Sequence, residues 1–510
     1  MIGFARVLLF SVALAACTQV EKQPPGVVIV NARVIDGSGG PSRDADVRIV
    51  GERIVAVGQF ERLAGDQVVD AGGLVLAPGF IDSHSHHEDG LFEMPEALAA
   101  VSQGVTTILV GQDGVHPYPV DKFFAELETS RVAVNVASYA GHGTIRSRVM
   151  ADDYRRAATA EESAAMARLL RAEMQAGALG LSSGLEYDPG SYAAPDELVE
   201  LATVAASYGG RYISHIRSED QYFWEAIDEV IDIGRKARLP VQVTHVKLAM
   251  QRWWGQAGRL TARLDEARKT GVDITADIYP YTAWNSDFSW LTTLFPKRDL
   301  SRRDGAEYIL RDMLSPERIM LARYWPEPAY DGSTIAQIAK MRGSDPEATL
   351  MELLRADVET GSRSSMLGFA MDEPDIEAIM AWPHTVIGSD GELAGPHPRG
   401  YGSFTRYLGH YIRERRVLSL EEGIRRITAL PAQQAGIEHR GSIVAGNYAD
   451  LVLFDPDQVS DRATYEKPHL PSAGIDKVWV NGELVLERGR VTGKRPGKPV
   501  RRSGTSGSHP

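Results

Sequence analysis

The chain has 510 residues, 43% of them hydrophobic and 24% charged, with a formal net charge of −13. That length can bury a large core and suits one big domain with a smaller satellite. The acidic balance excludes a general nucleic-acid binder, and a single cysteine, Cys17, excludes disulfides and leaves no thiolate inside the fold.

At the amino end, Arg6 precedes a ten-residue apolar run, residues 7–16 (VLLFSVALAA). A helix needs roughly 20 residues to cross a bilayer, so this stretch reads as a secretory signal and not a membrane span. Leu14-Ala15-Ala16-Cys17 resembles the bacterial lipobox, which implies lipidation at Cys17, export, and a lipid-anchored protein facing the periplasm. Residues 18–26 (TQVEKQPPG) are polar and carry two prolines, as a tether does.

From residue 27, short runs with Val, Ile and Leu at period two and Gly breaks predict strands (VVIVNARVIDG, ADVRIVGERIVAVG, VVDAGGLVLAPG). The same texture returns in ADLVLFDP and KVWVNGELVLERGRV, so residues 27–78 and 437–493 are expected to form one small β-sandwich domain from both chain ends. Residues 494–510, basic and rich in Gly, Ser and Pro, are expected to be a flexible tail.

The middle, residues 79–436, alternates strands with helices. Eight strand candidates are GFIDSH, VTTILVG, AVNVASYAG, ALGLSSGLE, RYISHI, VQVTHV, DITADIY and HTVIGSD. Between them lie helical patterns, one opened by a Thr159/Glu162 capping box and stopped by Gly177, another with Pro195 in its first turn. Eight such units predict a (β/α)8 barrel, with a lid-like insertion at about residues 287–383.

In such a barrel the chemistry sits at the carboxyl ends of the strands. His84 and His86 close the first strand at i and i+2, so both can face one cation. His215 ends the fifth, His245 the sixth and Asp390 the eighth. A lone strand histidine is usually structural, but four histidines and an aspartate at equivalent positions on separate strands point to a metal. Lys247 shares a strand face with His245, and Arg399 in HPRGYGSF could clamp a carboxylate through two parallel hydrogen bonds. His142 ends the third strand and suits bracing; His116, His384, His397, His410 and His439 have no metal spacing. Trp253, Trp254 and Trp284 suit packing at the rim.

These motifs resemble the amidohydrolase superfamily and, more closely, the N-acyl-D-amino-acid deacylase (D-aminoacylase) family. The resemblance runs from about residue 27 to 502 through LAPGFIDSHSH, VGQDGV, GHGTIR, GALGLSSGLEYDPGSY, YISHIRSE, THVK, DIYPYTA, GSDG with HPRGYGSF, and the carboxyl-terminal ADLVLFDPDQVSDRATYEKP, VNGELV and TGKRPG. It implies one or two Zn2+ ions, held by His84 and His86 at one site and by His215 and His245 at the other. Asp390 is implied as the catalytic carboxylate, and Lys247, Tyr281 and Arg399 as substrate ligands. The family carries a cysteine where this chain has Asp113, so Asp113 is expected to take that ligand position, with Glu186 as its rival. A zinc ion lowers the pKa of a bound water from 15.7 to about 7, and Asp390 would move its proton to the departing amine. The implied reaction is hydrolysis of N-acyl-D-amino acids, small molecules. A dipeptidase or cyclic amidase would use the same metal site, and a binding-only lipoprotein would have no reason to keep these ligands. Oligomeric state is left open.

Overall fold

The computed structural model describes residues 24–502; the signal segment and Cys17 lie outside them. Among the described residues, no helix is long and apolar enough to cross a membrane.

The two chain ends meet in one nine-stranded sheet. The amino end supplies Val27–Val34, Arg43–Val50, Arg53–Gly58, Gln67–Asp70 and Val75–Pro78, and the carboxyl end Leu451–Phe454, Ile475–Val480, Glu483–Glu487 and Arg490–Val491. The seam is antiparallel, with Leu76 opposite Leu453 and Ala77 opposite Val452. Ile29, Val47, Ile49 and Ile54 pack with Leu451, Leu453 and Trp479 in a hydrophobic cluster of their own, so apolar alternation at both ends is satisfied by one shared core.

The middle of the chain contributes parallel strands: β1 (Phe80–Asp82), β2 (Val105–Val110), β3 (Asn135–Ser138), β4 (Gly180–Gly184), β5 (Arg211–His215), β6 (Val241–Val243), β7 (Ile274–Ile278) and β8 (Thr385–Ile387). β1 to β3 form one parallel sheet; β4 to β8, with the short strand Ala140–Gly141 that follows β3, form another. Every residue of these strands is buried, as parallel strands covered on both faces require. β8 returns to β1 through Asp82, whose carboxylate accepts the Ser389 amide at 2.8 Å and hydroxyl at 2.5 Å, and Ser85 bridges Gly391 in parallel.

Helices follow their sequence signals. Ala160–Ala176 opens on the Thr159/Glu162 capping box and ends at Gly177, φ 107°. Pro195–Ser207 begins on its proline. Between β7 and β8 a separate antiparallel sheet (Trp284–Asp287, Ile319–Arg323, Ser365–Gly368) rises with the helices Ile335–Arg342 and Pro346–Thr360.

Residues 494–502 depart from the expected flexible tail. The Val136 and Gly497 amides donate to the Lys498 and Val132 carbonyls, Val500 donates to Val136, and Pro499 pairs with Val136 in parallel. The open side of β3 offers this segment a backbone partner, which composition alone does not reveal. Residues 503–510 lie outside the described residues.

A buried polar knot ties the end sheet to β3. The Asp450 carboxylate accepts the Asn481 amide at 2.7 Å and the Asn135 side chain at 3.3 Å and pairs with Arg440. Removing one member leaves a buried charge uncompensated, so Asp450→Ala is expected to lower stability by about 3–5 kcal/mol in urea unfolding, and Asp450→Asn by less.

Candidate active site

The chain positions its site at the carboxyl ends of the parallel strands. His84 and His86 follow β1, Asp113 follows β2, Glu186 follows β4, His215 closes β5, His245 and Lys247 follow β6, and Asp390 follows β8. Except for His84, which is fully buried, these residues line a cavity of about 550 Å³. Three of them hold left-handed backbone: Asp113 at φ 51°, His245 at 31° and Asp390 at 49°. Such conformations are costly for non-glycine residues and persist where the surroundings enforce them. Two glycines allow the close approaches this needs. A Cβ on Gly184 would meet the Asp113 carbonyl oxygen at 2.2 Å, and one on Gly388 would meet the His84 Cβ at 2.6 Å.

His215 Nδ1 and His245 Nε2 lie 2.9 Å apart, and the histidine contacts of Asp113 and Asp390 are longer. His84 Nε2 lies 3.6 Å and His86 Nε2 3.4 Å from Asp113 Oδ2; the same nitrogens lie 3.5 and 3.3 Å from Asp390 Oδ1; and His245 Nε2 is 3.4 Å from Asp113 Oδ1. Two atoms each about 2.0–2.2 Å from one tetrahedral ion stand about 3.3–3.6 Å apart, so these spacings are those of shared ligands. His84 Nε2 and Asp113 Oδ1 are buried with no hydrogen-bond partner, which a cation between them would supply. The geometry groups His84, His86, Asp113 and Asp390 as one ligand set and Asp113, His215 and His245 as a second, with Asp113 common to both; Glu186, His215 and Glu219 form a third group that does not include Asp113.

Electrostatics agree. Nine acidic side chains line the cavity, Asp113, Glu186, Glu219 and Asp390 among them, against three fixed cations, Lys247, Arg298 and Arg399, an excess of six negative charges when the carboxylates are ionised and the histidines neutral. Burial acts to neutralise Asp113 and Asp390. It is overridden by His245 and His84 beside the first and by Arg399 and His86 beside the second, which hold both well below the usual carboxylate range. Burial likewise opposes a charge on His84, yet Asp113 and Asp277 push its pKa up to about 10. The pocket demands positive charge.

Carboxylates also occupy the far side of the rings. Glu186 Oε2 is 3.1 Å from His215 Nε2, leaving Nδ1 turned toward His245; Glu219 Oε1 is 3.1 Å from His245 Nδ1; and Asp277 Oδ1 is 3.4 Å from His84 Nδ1. Such partners fix the tautomer and orientation of a metal-binding histidine. Glu186, a rival for the ligand position, thus stands behind His215. Sequence reasoning missed Glu219 and Asp277; the one visible signal was their place at or near strand ends (YISHIRSE, DITADIY).

Lys247 and Arg399 reach the cavity, but each already has a partner. Lys247 Nζ is 2.5 Å from Glu219 Oε1, and Arg399 NH1 is 2.6 Å from Asp390 Oδ2. Tyr281 does not line this cavity. Its amide donates to the Tyr279 carbonyl at 3.0 Å, a tight turn at Pro280 that swings its ring onto His397. Tyr279 takes the wall position, with Arg399 5.0 Å from its ring centre. The sequence rule of alternating faces ends with the strand. His142 pairs with the buried Glu197 at 2.8 Å, a bracing contact, and Trp284 lines the cavity.

Comparison with known proteins follows the same lines. The amidohydrolase family model matches residues 67–307 and 323–486. N-acyl-D-glutamate deacylase of Alcaligenes xylosoxydans xylosoxydans is 37% identical, covering 95% of this chain and 98% of its own; D-aminoacylase of the same organism is 35% identical, covering 95% and 99%. A crystal structure of N-acyl-D-glutamate deacylase from Bordetella bronchiseptica, complexed with zinc and a phosphonate mimic of the tetrahedral intermediate, superposes with a TM-score of 0.83 at 36% identity. It covers 94% of this chain and all of that one.

The ligand assignment separates two substitutions. Asp113→Ala is expected to abolish stoichiometric zinc binding, whereas Glu186→Ala is expected to keep the stoichiometry and weaken affinity by about 10–100-fold. Metal analysis after dialysis against graded chelator distinguishes them.

Proposed function

The chain belongs to the amidohydrolase family, and on that premise we propose that it hydrolyses the amide bond of N-acyl-D-amino acids, releasing a carboxylic acid and a D-amino acid. It is a hydrolase of carbon–nitrogen bonds in linear amides, and its site suits zinc as its metal. The observation that carries the reading is the pair of ligand sets meeting at Asp113. D-selectivity comes from the deacylase relatives.

His84, His86 and Asp113 would hold one ion, with Asp390 Oδ1 beside it in the same set, and Asp113, His215 and His245 a second. Zinc, when bound, supplies a Lewis acid that polarises a carbonyl and acidifies water. Asp390 takes the proton. Arg399 keeps its carboxylate ionised, and its Oδ1 faces the ligand set, so it accepts a proton on the cavity side and returns it to the departing amine nitrogen. Arg399 and Lys247 give the cavity a positive end for the substrate carboxylate. Arg399 has five N–H donors, so its pairing with Asp390 leaves others free to bind. Tyr279 walls the same end.

We read the two parallel sheets as one eight-stranded barrel, supported by the chain continuity from β3 to Ala140–Gly141 and by the Asp82–Ser389 and Ser85–Gly391 contacts. The end sheet, with its own hydrophobic cluster, is the small β domain. The sequence Leu14-Ala15-Ala16-Cys17 supports a lipid-anchored, exported enzyme.

Zinc-loaded protein is expected to cleave N-acetyl-D-methionine and leave the L-isomer intact, and chelation should stop turnover until zinc is restored. Absence of any D-specific turnover would remove the proposal. Asp390→Asn is expected to lower kcat by about 10²–10⁴-fold with metal retained. Arg399→Ala should raise KM for N-acetyl-D-methionine more than for its carboxamide; equal effects would free Arg399 of the carboxylate-binding role.

A further inference from the structure

A second cavity of about 430 Å³ opens beside the main one and shares His86 and Asp89 with it. Its walls come from the segments after β1 and β2. Phe92, Val115, Pro117, Tyr118 and Phe123 supply an apolar lining, with the Phe92 and Phe123 rings edge-on at 6.0 Å. Val115 stands two residues beyond Asp113 and is 66% exposed, an apolar branch left in water beside the ligand set. Glu88, Asp89 and Glu126 line the same cavity, with Lys122 and His116, so that three acids face one fixed cation. The main cavity has a mixed wall, where Asn285, Ser286, Ser289, Thr292 and Thr293 of the β7–β8 insertion present amide and hydroxyl groups beside Trp284, Trp290 and Met313.

We propose that this side cavity is the acyl subsite, and that the enzyme takes N-acyl groups with alkyl chains longer than acetyl. The inference rests on the hydrolysis of N-acyl-D-amino acids set out above. Such a substrate carries one anionic end and one apolar end. Lys247 and Arg399, after β6 and β8, attract the first, while the side cavity, with Glu88, Asp89 and Glu126 against the single cation Lys122, has a net acidic lining that disfavours it. With the carboxylate at the basic end and the scissile carbonyl at His86 and Asp113, the acyl chain continues past His86 onto Val115 and Phe92. The amino-acid side chain is left to the mixed wall of the β7–β8 insertion. Apolar chain and apolar lining then remove each other from water.

The test is kcat/KM on zinc-loaded enzyme for N-acetyl-, N-butanoyl- and N-hexanoyl-D-methionine. Burial of each methylene is expected to raise it about threefold, or about 10²-fold from acetyl to hexanoyl. Val115→Asp, a change at an exposed position, is expected to flatten the series, and Val115→Ala to make it shallower. Turnover of the acetyl compound with a flat or falling series overturns the subsite alone, as does a slope unchanged in Val115→Asp. Preference for glycyl-D-methionine over the hexanoyl compound overturns it too, giving the acidic lining to an amine. Failure on the acetyl compound overturns the hydrolysis itself and the subsite with it.

Discussion

The site depends on a carboxylate asked to serve two masters. Asp113 turns one oxygen toward His84 and His86 and the other toward His245, at separations too long for hydrogen bonds and suited to shared coordination. Everything near it is arranged to make that possible. The backbone at Asp113 adopts a left-handed conformation, Gly184 leaves its carbonyl room, and the rings it faces are steadied from behind by Glu186, Glu219 and Asp277. A carboxylate is a harder ligand than a thiolate, but it offers two donor atoms on a planar fork. That geometry lets one residue reach both ligand sets.

Around this centre the fold divides its labour. Buried parallel strands give rigid termini from which ligands project, and Asp82 fastens the first of these strands to the last by holding Ser389. The loops carry what varies. The β7–β8 insertion supplies one wall, with hydroxyl groups beside tryptophans, and the segments after β1 and β2 supply another, with aromatic rings and Val115 beside acidic groups. A precise metal set on rigid strand ends, with substrate contacts on adaptable loops, is how a common scaffold accommodates many acylated substrates.

Much of this was legible in the sequence because histidine and aspartate at successive strand ends are hard to explain by packing. His84, His86, His215, His245 and Asp390 stood out by position, and Asp113 by its place in VGQDGV. What stayed hidden depends on how the chain turns after a strand ends. Parity along a strand puts Lys247 beside His245, and the structure keeps them 2.9 Å apart. Tyr281, implied as a substrate ligand by the resemblance, is turned away from the cavity because the backbone bends at Pro280. Glu219 and Asp277 were hidden for a related reason: an acidic residue in sequence looks alike whether it faces solvent or a ring nitrogen. The segment 494–502 looked unstructured by composition, yet it pairs with β3, since backbone hydrogen bonding needs an open edge and not a hydrophobic pattern.

The seam between Leu76 and Leu453 has a bearing on biogenesis. A ribosome delivers the amino-terminal strands long before their carboxyl-terminal partners exist, so Val75–Pro78 spends most of synthesis as an unpaired edge, prone to adhere to other chains. Pairing across so many residues is slow to nucleate. This sheet therefore cannot close before the carboxyl-terminal strands are made, and one edge of Val75–Pro78 stays open until they arrive.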